Sequence, residues 1–405
     1  MHVLYFHQYF QTPKGTSGTR SYKMAKALIR AGHTVTMVCG SCAGGNTGIN
    51  KPFTNGRRRE IVEDIDVIEF DLKYSNHLSY IKRIMVFIKF VVFSIGILSR
   101  EPADIIFATS TPLTVSIPGI FARWFKNKYF ILEVRDLWPE LPIAMGIIKN
   151  PIIIWTLSFF EWISYHSANR LIALSPGIFK GIVARGISLN KIDTISNGSD
   201  FNLFNDNIFP TRPNGIGQKD LMAIFAGSHG EANGLESILS TASIIKKLGR
   251  RDIKFLLIGE GKLKLKLIER TKLENLDNII FLEPIPKIQL ASLILSANVG
   301  LQVLSNVPAF YYGTSPNKFF DYIAAGLPVL NNYPGWIADL IVKNKCGYIV
   351  KPGNPESFAD ALVHAADNPN SLKRMGINAR NLAKKEFDMK ILEEKFINCL
   401  EKVLK

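Results

Sequence analysis

Runs of consecutive apolar residues punctuate the chain, and between them apolar side chains return with helical spacing. The runs fall at 2–8, 34–40, 66–72, 104–110, 129–136, 170–175 and 192–198. They resume at 221–227, 254–260, 279–283, 299–305, 328–332 and 347–351. Strands that are apolar on both faces and alternate with helices predict parallel sheets covered on both sides by helical layers. The rhythm breaks at 199–220, where Pro210, Pro213, Gly215 and Gly217 stand among several asparagines. We read that stretch as a linker between a domain at 1–198 and a second at 221–385, with 386–405 as a C-terminal helical segment. A chain of 405 residues is too long for one ordinary core and suits two. In doubly wound domains of this kind, ligands bind outside the carboxyl ends of the strands.

One predicted helix departs from the amphipathic pattern. Residues 84–98 are almost wholly apolar, with Lys89 near the middle and Lys82, Arg83 and Arg100 flanking them. The run is too short to span a bilayer. On a helical wheel Lys82, Lys89, Gly96 and Arg100 gather within about 40°, leaving the rest of the surface apolar. That geometry suits a helix lying in a membrane interface. The other reading is a helix packed on a sheet with a thin solvated stripe.

Charge bears on this choice. The net charge is +15, and the first 195 residues hold 23 Lys and Arg against 13 Asp and Glu. A basic first domain favours an anionic partner. No nucleic-acid-binding motif is visible, so an anionic membrane surface is expected and nucleic acid is not. Cys39 and Cys42 form a C-x-x-C, yet no helix opens behind them to lower a thiol pKa, so a strand end is expected instead of a redox pair. No His, Cys or Asp cluster has metal-ligand spacing, and no metal or other cofactor is expected. The apolar start at Met1 lacks the basic n-region and long apolar core of a signal peptide, which leads us to expect a cytoplasmic protein.

The most informative stretch runs from Ser315 to Leu330, SPNKFFDYIAAGLPVL. It reads as a loop, a short helix and a buried strand. Ser315 suits the N-cap and Pro316 the first turn, while Gly326 fits the stop and Pro328 blocks continuation. A helix opening this way aims unpaired N–H groups at an anion. Lys318 adds a cation in the first turn, and Asp321 lies one turn on, placed to accept hydrogen bonds from sugar hydroxyls. Diphosphate, ribose and a helix N-terminus together make a nucleotide-sugar site. Gly227, Gly230 and Gly234 form a second loop between a strand and a helix. In the first domain, Pro13 to Gly18 leads from the first strand into a helix without the spacing of a Walker or dinucleotide loop.

The Ser315–Leu330 segment resembles the donor-site signature of family 4 glycosyltransferases, enzymes of the two-domain GT-B fold. Three further elements resemble that family in its order. They are Arg135 to Glu140 (RDLWPE), Asn197 to Asp200 (NGSD) followed by Phe204, and Phe225 to Leu235 (FAGSHGEANGL). Within the family the closest resemblance is to the polysaccharide-synthesis branch and its N-acetylfucosamine transferases. The resemblance implies two doubly wound Rossmann-like α/β domains facing across a cleft, with 388–404 crossing back to the first domain.

It also implies roles. Gly15, Gly18, Arg20, Gly227, Ser228, Asn233, Gly234, Thr314, Ser315, Asn317, Lys318 and Asp321 would hold a UDP-sugar donor. Glu133, Arg135 and Asp136 would meet the acceptor, a polyprenyl-diphosphate-linked sugar. Lys318 and Asp136 are the catalytic candidates, for charge on the leaving diphosphate and for orienting the acceptor hydroxyl. Arg20 is either a phosphate clamp or a structural ion pair, and Asp136 is either the acceptor contact or a cap or salt-bridge partner of Arg135. Lys82, Arg83, Lys89 and Arg100 would face anionic lipid at the inner surface of the plasma membrane.

Two departures from the family pattern matter. Ser228 and Asn233 replace an arginine and a lysine, so positive charge must come from elsewhere. Gly313 stands where the first of two paired glutamates is usual, which shifts support of the transferred sugar toward Tyr311 or Tyr312. A deoxy sugar is consistent with that loss. The expected activity is transfer of an N-acetylated deoxyhexosamine, with retention, into O-antigen or capsule. The alternatives are a nucleotide-sugar epimerase on the same fold, which needs no lipid-facing helix, and a non-catalytic sugar-nucleotide-binding membrane scaffold.

Overall fold

The computed structural model describes residues 1–15, 18–75, 78–205 and 207–404, which gather into two compact units. Unit 1 holds Met1–Ser196, Gly313–Ser315 and the residues from Lys390 onward. Unit 2 holds Asn197–Tyr312 and Pro316–Met389.

Unit 1 is built on β1 (His2–Phe6), β2 (Thr34–Cys42), β3 (Arg57–Val62), β4 (Ile65–Tyr74), β5 (Ile105–Thr109), β6 (Tyr129–Val134), β7 (Arg170–Ala173) and β8 (Ile192–Thr194). Their order in the sheet is β3-β4-β2-β1-β5-β6-β7-β8, parallel throughout except for the β3–β4 pair. The helices are α1 (Arg20–Arg30), α2 (Tyr80–Leu98), α3 (Ser116–Phe125), α4 (Glu140–Ala144), α5 (Pro151–Ser167) and α6 (Pro176–Ala184). The central strands are buried on both faces, as their unbroken apolar sequence requires. Leu4, Phe6, Ile106, Phe130, Leu132 and Leu171 share one core cluster.

Unit 2 contains β9 (Leu221–Ala226), β10 (Ile253–Ile258), β11 (Ile279–Leu282), β12 (Val299–Gln302), β13 (Val329–Asn331) and β14 (Gly347–Ile349). These form a parallel sheet in the order β11-β10-β9-β12-β13-β14. Its helices are α7 (Glu236–Lys247), α8 (Lys264–Leu273), α9 (Lys287–Ser296), α10 (Pro308–Gly313), α11 (Asn317–Ala325), α12 (Trp336–Asn344), α13 (Pro355–Asp367) and α14 (Pro369–Glu386). The last helix, α15 (Met389–Glu401), follows. In unit 1 the strand order reverses at β1 and in unit 2 at β9, so the loops after these two strands open at topological switch points.

All thirteen expected strands are present, most of them shorter at their carboxyl ends because the chain leaves the sheet to form loops. β3 was not expected. Its sequence, RRREIV, opens with four charged residues, which read as surface loop; in the structure it is an antiparallel edge strand whose side chains alternate in exposure. Charged side chains of this kind guard a sheet edge against further pairing. Residues 197–220 carry no helix or long strand and belong to unit 2, with Ser199 bridging to Asp388. In unit 1, Phe396 of α15 packs edge-on against Phe107, ring centroids 5.1 Å apart, and Glu393 pairs with Arg30 at 2.6 Å.

α2 begins at Tyr80, before the expected 84. Only Phe90, Val91, Ser94, Ile97 and Leu98 are buried, so its C-terminal half packs on the core while its first turns lie exposed. The reading of a helix packed on a sheet thus describes its C-terminal half. Among the described residues no helix is long and apolar enough to cross a membrane. Cys39 and Cys42 both lie within β2. Burial, then Glu69, pushes Cys42 up to about 12 and Cys39 well above the ordinary thiol range, the reverse of a redox pair.

Packing of α3 on β6 depends on Gly119, where a methyl group would lie 2.1 Å from Cε2 of the fully buried Phe130. Gly119→Ala is expected to destabilise unit 1 by up to about 2 kcal/mol, because overpacking of about 1–3 kcal/mol outweighs the roughly 1 kcal/mol gained in helix propensity. In α2 a methyl on Gly96 meets nothing within 4 Å. Gly96→Ala is therefore expected to stabilise by up to about 1 kcal/mol. Urea unfolding followed by tryptophan fluorescence tests these opposite signs.

Candidate functional site

In unit 2 the loop after β9 and the first turn of α11 meet at Lys318. The Nζ of Lys318 lies 3.9 Å above the centroid of the Phe225 ring and donates to Oδ1 of Asn233 at 3.1 Å. Asn233 in turn donates from Nδ2 to the Ser228 carbonyl at 2.8 Å, so one amide ties the loop to the lysine. A methyl group on Gly227 would sit 3.3 Å from Lys318 Cε and Nζ, and glycine lets the lysine lie alongside the backbone. Gly234 closes the loop in the left-handed region at φ 57°, where a Cβ would come within 2.8 Å of Ser305 backbone. Burial pulls Lys318 down to about 7, and no charged neighbour offsets it. The site therefore presents a cation held by an amide oxygen and an aromatic face, with no carboxylate among the described residues to neutralise it.

α11 is anchored by Tyr322, a fully buried residue that the sequence reading passed over. Its hydroxyl accepts from Ala226 N at 3.2 Å and donates to the Ile224 carbonyl at 3.2 Å. The expected cap is displaced. Pro316 occupies the N-cap in extended backbone, no side chain caps α11, and Asn317 is its first residue. The unexpected helix α10 ends at Gly313, leaving only three residues to connect it to α11. Thr314 and Ser315 group with unit 1, whereas Asn317, Lys318 and Asp321 group with unit 2.

Asp321 is buried and ion-paired with Lys287 at the start of α9, a partner absent from the sequence reading. Glu231, the acid of the glycine loop, is exposed. Tyr311 is buried with its hydroxyl on Asn306 and its ring stacked on Tyr333, while Tyr312 is exposed. His229, also missed, is fully buried, and neither ring nitrogen has a hydrogen-bond partner among the described residues. Burial, then Lys264, pushes it down to about 4.

In unit 1 the open question about Arg20 is answered by geometry. Its Nε and Nη2 donate to Glu133 Oε2 at 2.9 and 2.8 Å, while Nη1 donates to the Ser196 carbonyl and Nη2 also to the Ile195 carbonyl. Both side chains are buried. Arg20 is a structural bracket across β6 and the chain after β8, with four of its five N–H donors committed to the protein's own groups. Glu133 is corrected with it. Its other oxygen accepts from Thr109 Oγ1 at 2.6 Å and Arg135 Nε at 3.2 Å, so the carboxylate is fully buried with both oxygens engaged. Burial pushes Glu133 up, but Arg20 and Arg135 outweigh it and hold it below the usual range.

Arg135 is half-buried, bonded also to Thr109 and Ser21. Asp136 is half-buried with no hydrogen-bond partner among the described residues, and burial raises it against the pull of Arg135. It is the carboxylate that ends β6 uncommitted. Gly15 is buried beside Gln11 and Gly18 is half-buried. Thr16 and Ser17 of the same loop lie outside the described residues. Lys82, Lys89 and Arg100 are exposed, and half-buried Arg83 donates to the Leu78 carbonyl at 3.0 Å. Among the described residues no group of three or more His, Cys, Asp or Glu is placed to hold a metal ion.

Two doubly wound units, one with a cation between a glycine loop and a helix N-terminus, define a nucleotide-sugar-type GT-B protein as a class. Family comparison agrees with that class over nearly the whole chain. Residues 15–198 match the glycosyl transferase 4-like domain and residues 209–382 match glycosyl transferases group 1. The chain is a glycosyltransferase of this GT-B, family 4 type. No curated protein matches its sequence.

Solved structures share the fold at low identity. Sucrose-phosphate synthase from Thermosynechococcus elongatus is 17% identical with a TM-score of 0.78, covering 100% of this chain and 99% of that one. Anabaena HepE in complex with UDP-glucose is 14% identical with a TM-score of 0.68, covering 99% and 100%. WaaG, a glycosyltransferase involved in lipopolysaccharide biosynthesis, is 16% identical with a TM-score of 0.67, covering 98% of each.

The lowered Lys318 pKa has a stability consequence. A lysine held near 7 in the folded state and near 10.5 when unfolded opposes folding fully below pH 7, less between 7 and 10.5, and not above. Lys318→Met is therefore expected to stabilise unit 2 at pH 6 by on the order of 2 kcal/mol, after allowing for the lost hydrogen bond. The gain should shrink steadily as pH rises toward 10. Urea midpoints at pH 6, 8 and 10 read the difference.

Proposed function

We propose that the protein transfers a sugar from UDP to a saccharide carried on polyprenyl diphosphate, in the assembly of a surface polysaccharide such as O-antigen or capsule. The sugar is an N-acetylated deoxyhexosamine, transferred with retention, and the enzyme works at the cytoplasmic face of the plasma membrane. The observation that carries this reading is Lys318, a cation with no carboxylate partner among the described residues, at the N-terminus of α11 and beside a glycine loop. Such a group is stabilised by an anion, and a departing diphosphate is the anion that glycosyl transfer generates. Anabaena HepE with UDP-glucose and TarM with UDP are proteins of the same fold that bind this nucleotide.

In this reading Lys318 and the α11 N-terminus take up charge on the leaving diphosphate, with Ser228, Asn233, Gly234 and Asn317 around it. Asp321, shared with Lys287, holds the ribose. Asp136 orients the acceptor hydroxyl, whose proton passes to the donor phosphate as the glycosidic bond forms and the sugar–phosphate bond breaks. Mixing purified protein with UDP-, GDP- and dTDP-sugars and a short-chain lipid-diphosphate saccharide tests the proposal. Transfer from a UDP-sugar supports it. Donor interconversion without transfer supports the epimerase instead, and nucleotide binding without turnover supports the scaffold.

Lys318→Ala is expected to lower transfer by about one to two decades, following loss of about 1.5–3 kcal/mol of charge-assisted bonding. The intact site should also bind with proton uptake. A bound diphosphate raises the Lys318 pKa from about 7, so UDP-sugar affinity should fall by up to about tenfold per pH unit above 7. A UDP-sugar has no ionising phosphate in that window. Calorimetry in two buffers of different ionisation enthalpy detects the proton, and Lys318→Met should abolish both the uptake and the slope.

A further inference from the structure

α5 is built inside out. Its buried positions include Glu161, Ser164, Tyr165 and Ser167. Glu161 is paired with Arg185 at 3.1 Å, and Ser164 is bonded to Ser116 of α3 at 2.9 Å. Its outward face carries Ile152, Trp155, Phe159 and Trp162, with Ile152 73% and Trp155 68% exposed. The aromatic rings form a ladder. Trp155 stacks on Phe159 at 5.8 Å, Phe159 on Trp162 at 6.1 Å, and Trp162 on His166 at 4.1 Å. A helix meant to face water places its side chains the other way round.

The apolar surface continues across the same unit. α3 packs between α2 and α5. Its Trp124 donates from the indole to Ser167 Oγ at 3.0 Å, and Phe125 is exposed beside it. The exposed first turns of α2 add Ile81, Ile84, Met85 and Ile88. Basic side chains on these helices and just after them, Lys82, Lys89 and Lys126, are exposed. The three helices together contain a single acid, Glu161, which is buried and ion-paired.

We propose that the outer faces of α2, α3 and α5 form one docking surface for an anionic lipid bilayer, into whose interface the Trp155–Phe159–Trp162 ladder inserts while the lysines stay among the headgroups. Exposed tryptophans beside aliphatic side chains, edged by lysines, match the interfacial zone of a bilayer. Charge selects lipid over a second copy of the chain. A two-fold dimer would bring this patch against itself and its lysines against each other, with no exposed acid on the three helices to meet them. The insertion element is α5, which the sequence reading left out, and the basic stripe of α2 is the edge of the surface. The surface deepens the membrane part of the proposed function and is read without any sugar substrate, so its failure leaves the donor site standing.

Flotation of the full chain with phosphatidylcholine vesicles, with and without phosphatidylglycerol, tests it. Wild type is expected to float with anionic vesicles, and brominated lipid is expected to quench its tryptophan emission. The triple variant Trp155→Ser, Phe159→Ser, Trp162→Ser, checked by circular dichroism, is expected to lose binding at least about tenfold on anionic vesicles. The variant Lys82→Gln, Lys89→Gln, Lys126→Gln should keep the quenching but lose most of the anionic preference, about fivefold per charge at low salt. Wild type that stays in solution, a ladder variant that floats like wild type, or absence of quenching overturns the proposal. A dimer in sedimentation that the ladder variant dissociates, without vesicle binding, assigns the face to a second copy and also overturns it.

Discussion

An ammonium group withdrawn from water with no carboxylate to meet it must shed its proton or gain an anion. Unit 2 is arranged around that demand at Lys318. Tyr322 pins α11 to β9 through both of its hydrogen-bonding capacities, which fixes the height of the lysine over Phe225. The loops after β9 and β10 interlock so tightly that a Cβ on Gly259 would lie 1.9 Å from the Gly227 carbonyl oxygen. The cation therefore sits on a rigid base, as electrostatic stabilisation of a leaving group requires.

Unit 1 treats its charges in the opposite way. Arg20 and Arg135 share the Glu133 carboxylate, with Thr109 and two backbone carbonyls completing the set. Recruiting Arg20 to a phosphate would strip the buried Glu133 Oε2 of both its donors and leave Arg135, at 3.2 Å from the other oxygen, as the one cation paired with it among the described residues. The network serves instead to hold the ends of β5 and β6 and the chain after β8, leaving Asp136 just beyond it. A closed network and an open cation thus divide structural from chemical roles.

The strands and the two-unit plan were legible because continuous apolar runs have few alternatives to a parallel sheet. β3 was hidden by its arginines, since an edge strand needs no apolar run. At the site, Lys318, Asn233 and Ser228 were legible through their motifs, and the structure brings them together. The Lys287 partner of Asp321 was not, because pairing across α9 and α11 leaves no local trace. Arg20 illustrates a different limit. Sequence shows an arginine opening a helix beside a glycine loop, but only the distances to Glu133 decide what it holds. α5 was passed over because its composition resembles a core helix, and only exposure shows which way it faces.

The four cysteines have a practical consequence. Cys39, Cys346 and Cys399 are buried, and burial pushes Cys42 and Cys346 up to about 12 and the other two higher than an ordinary thiol. At neutral pH almost none of them is thiolate, the form that reacts with maleimides or spin-label reagents. A cysteine introduced on the surface would react far ahead of all four native thiols. Paired labels, one on each unit, could then report the distance between the units during turnover in the otherwise native chain.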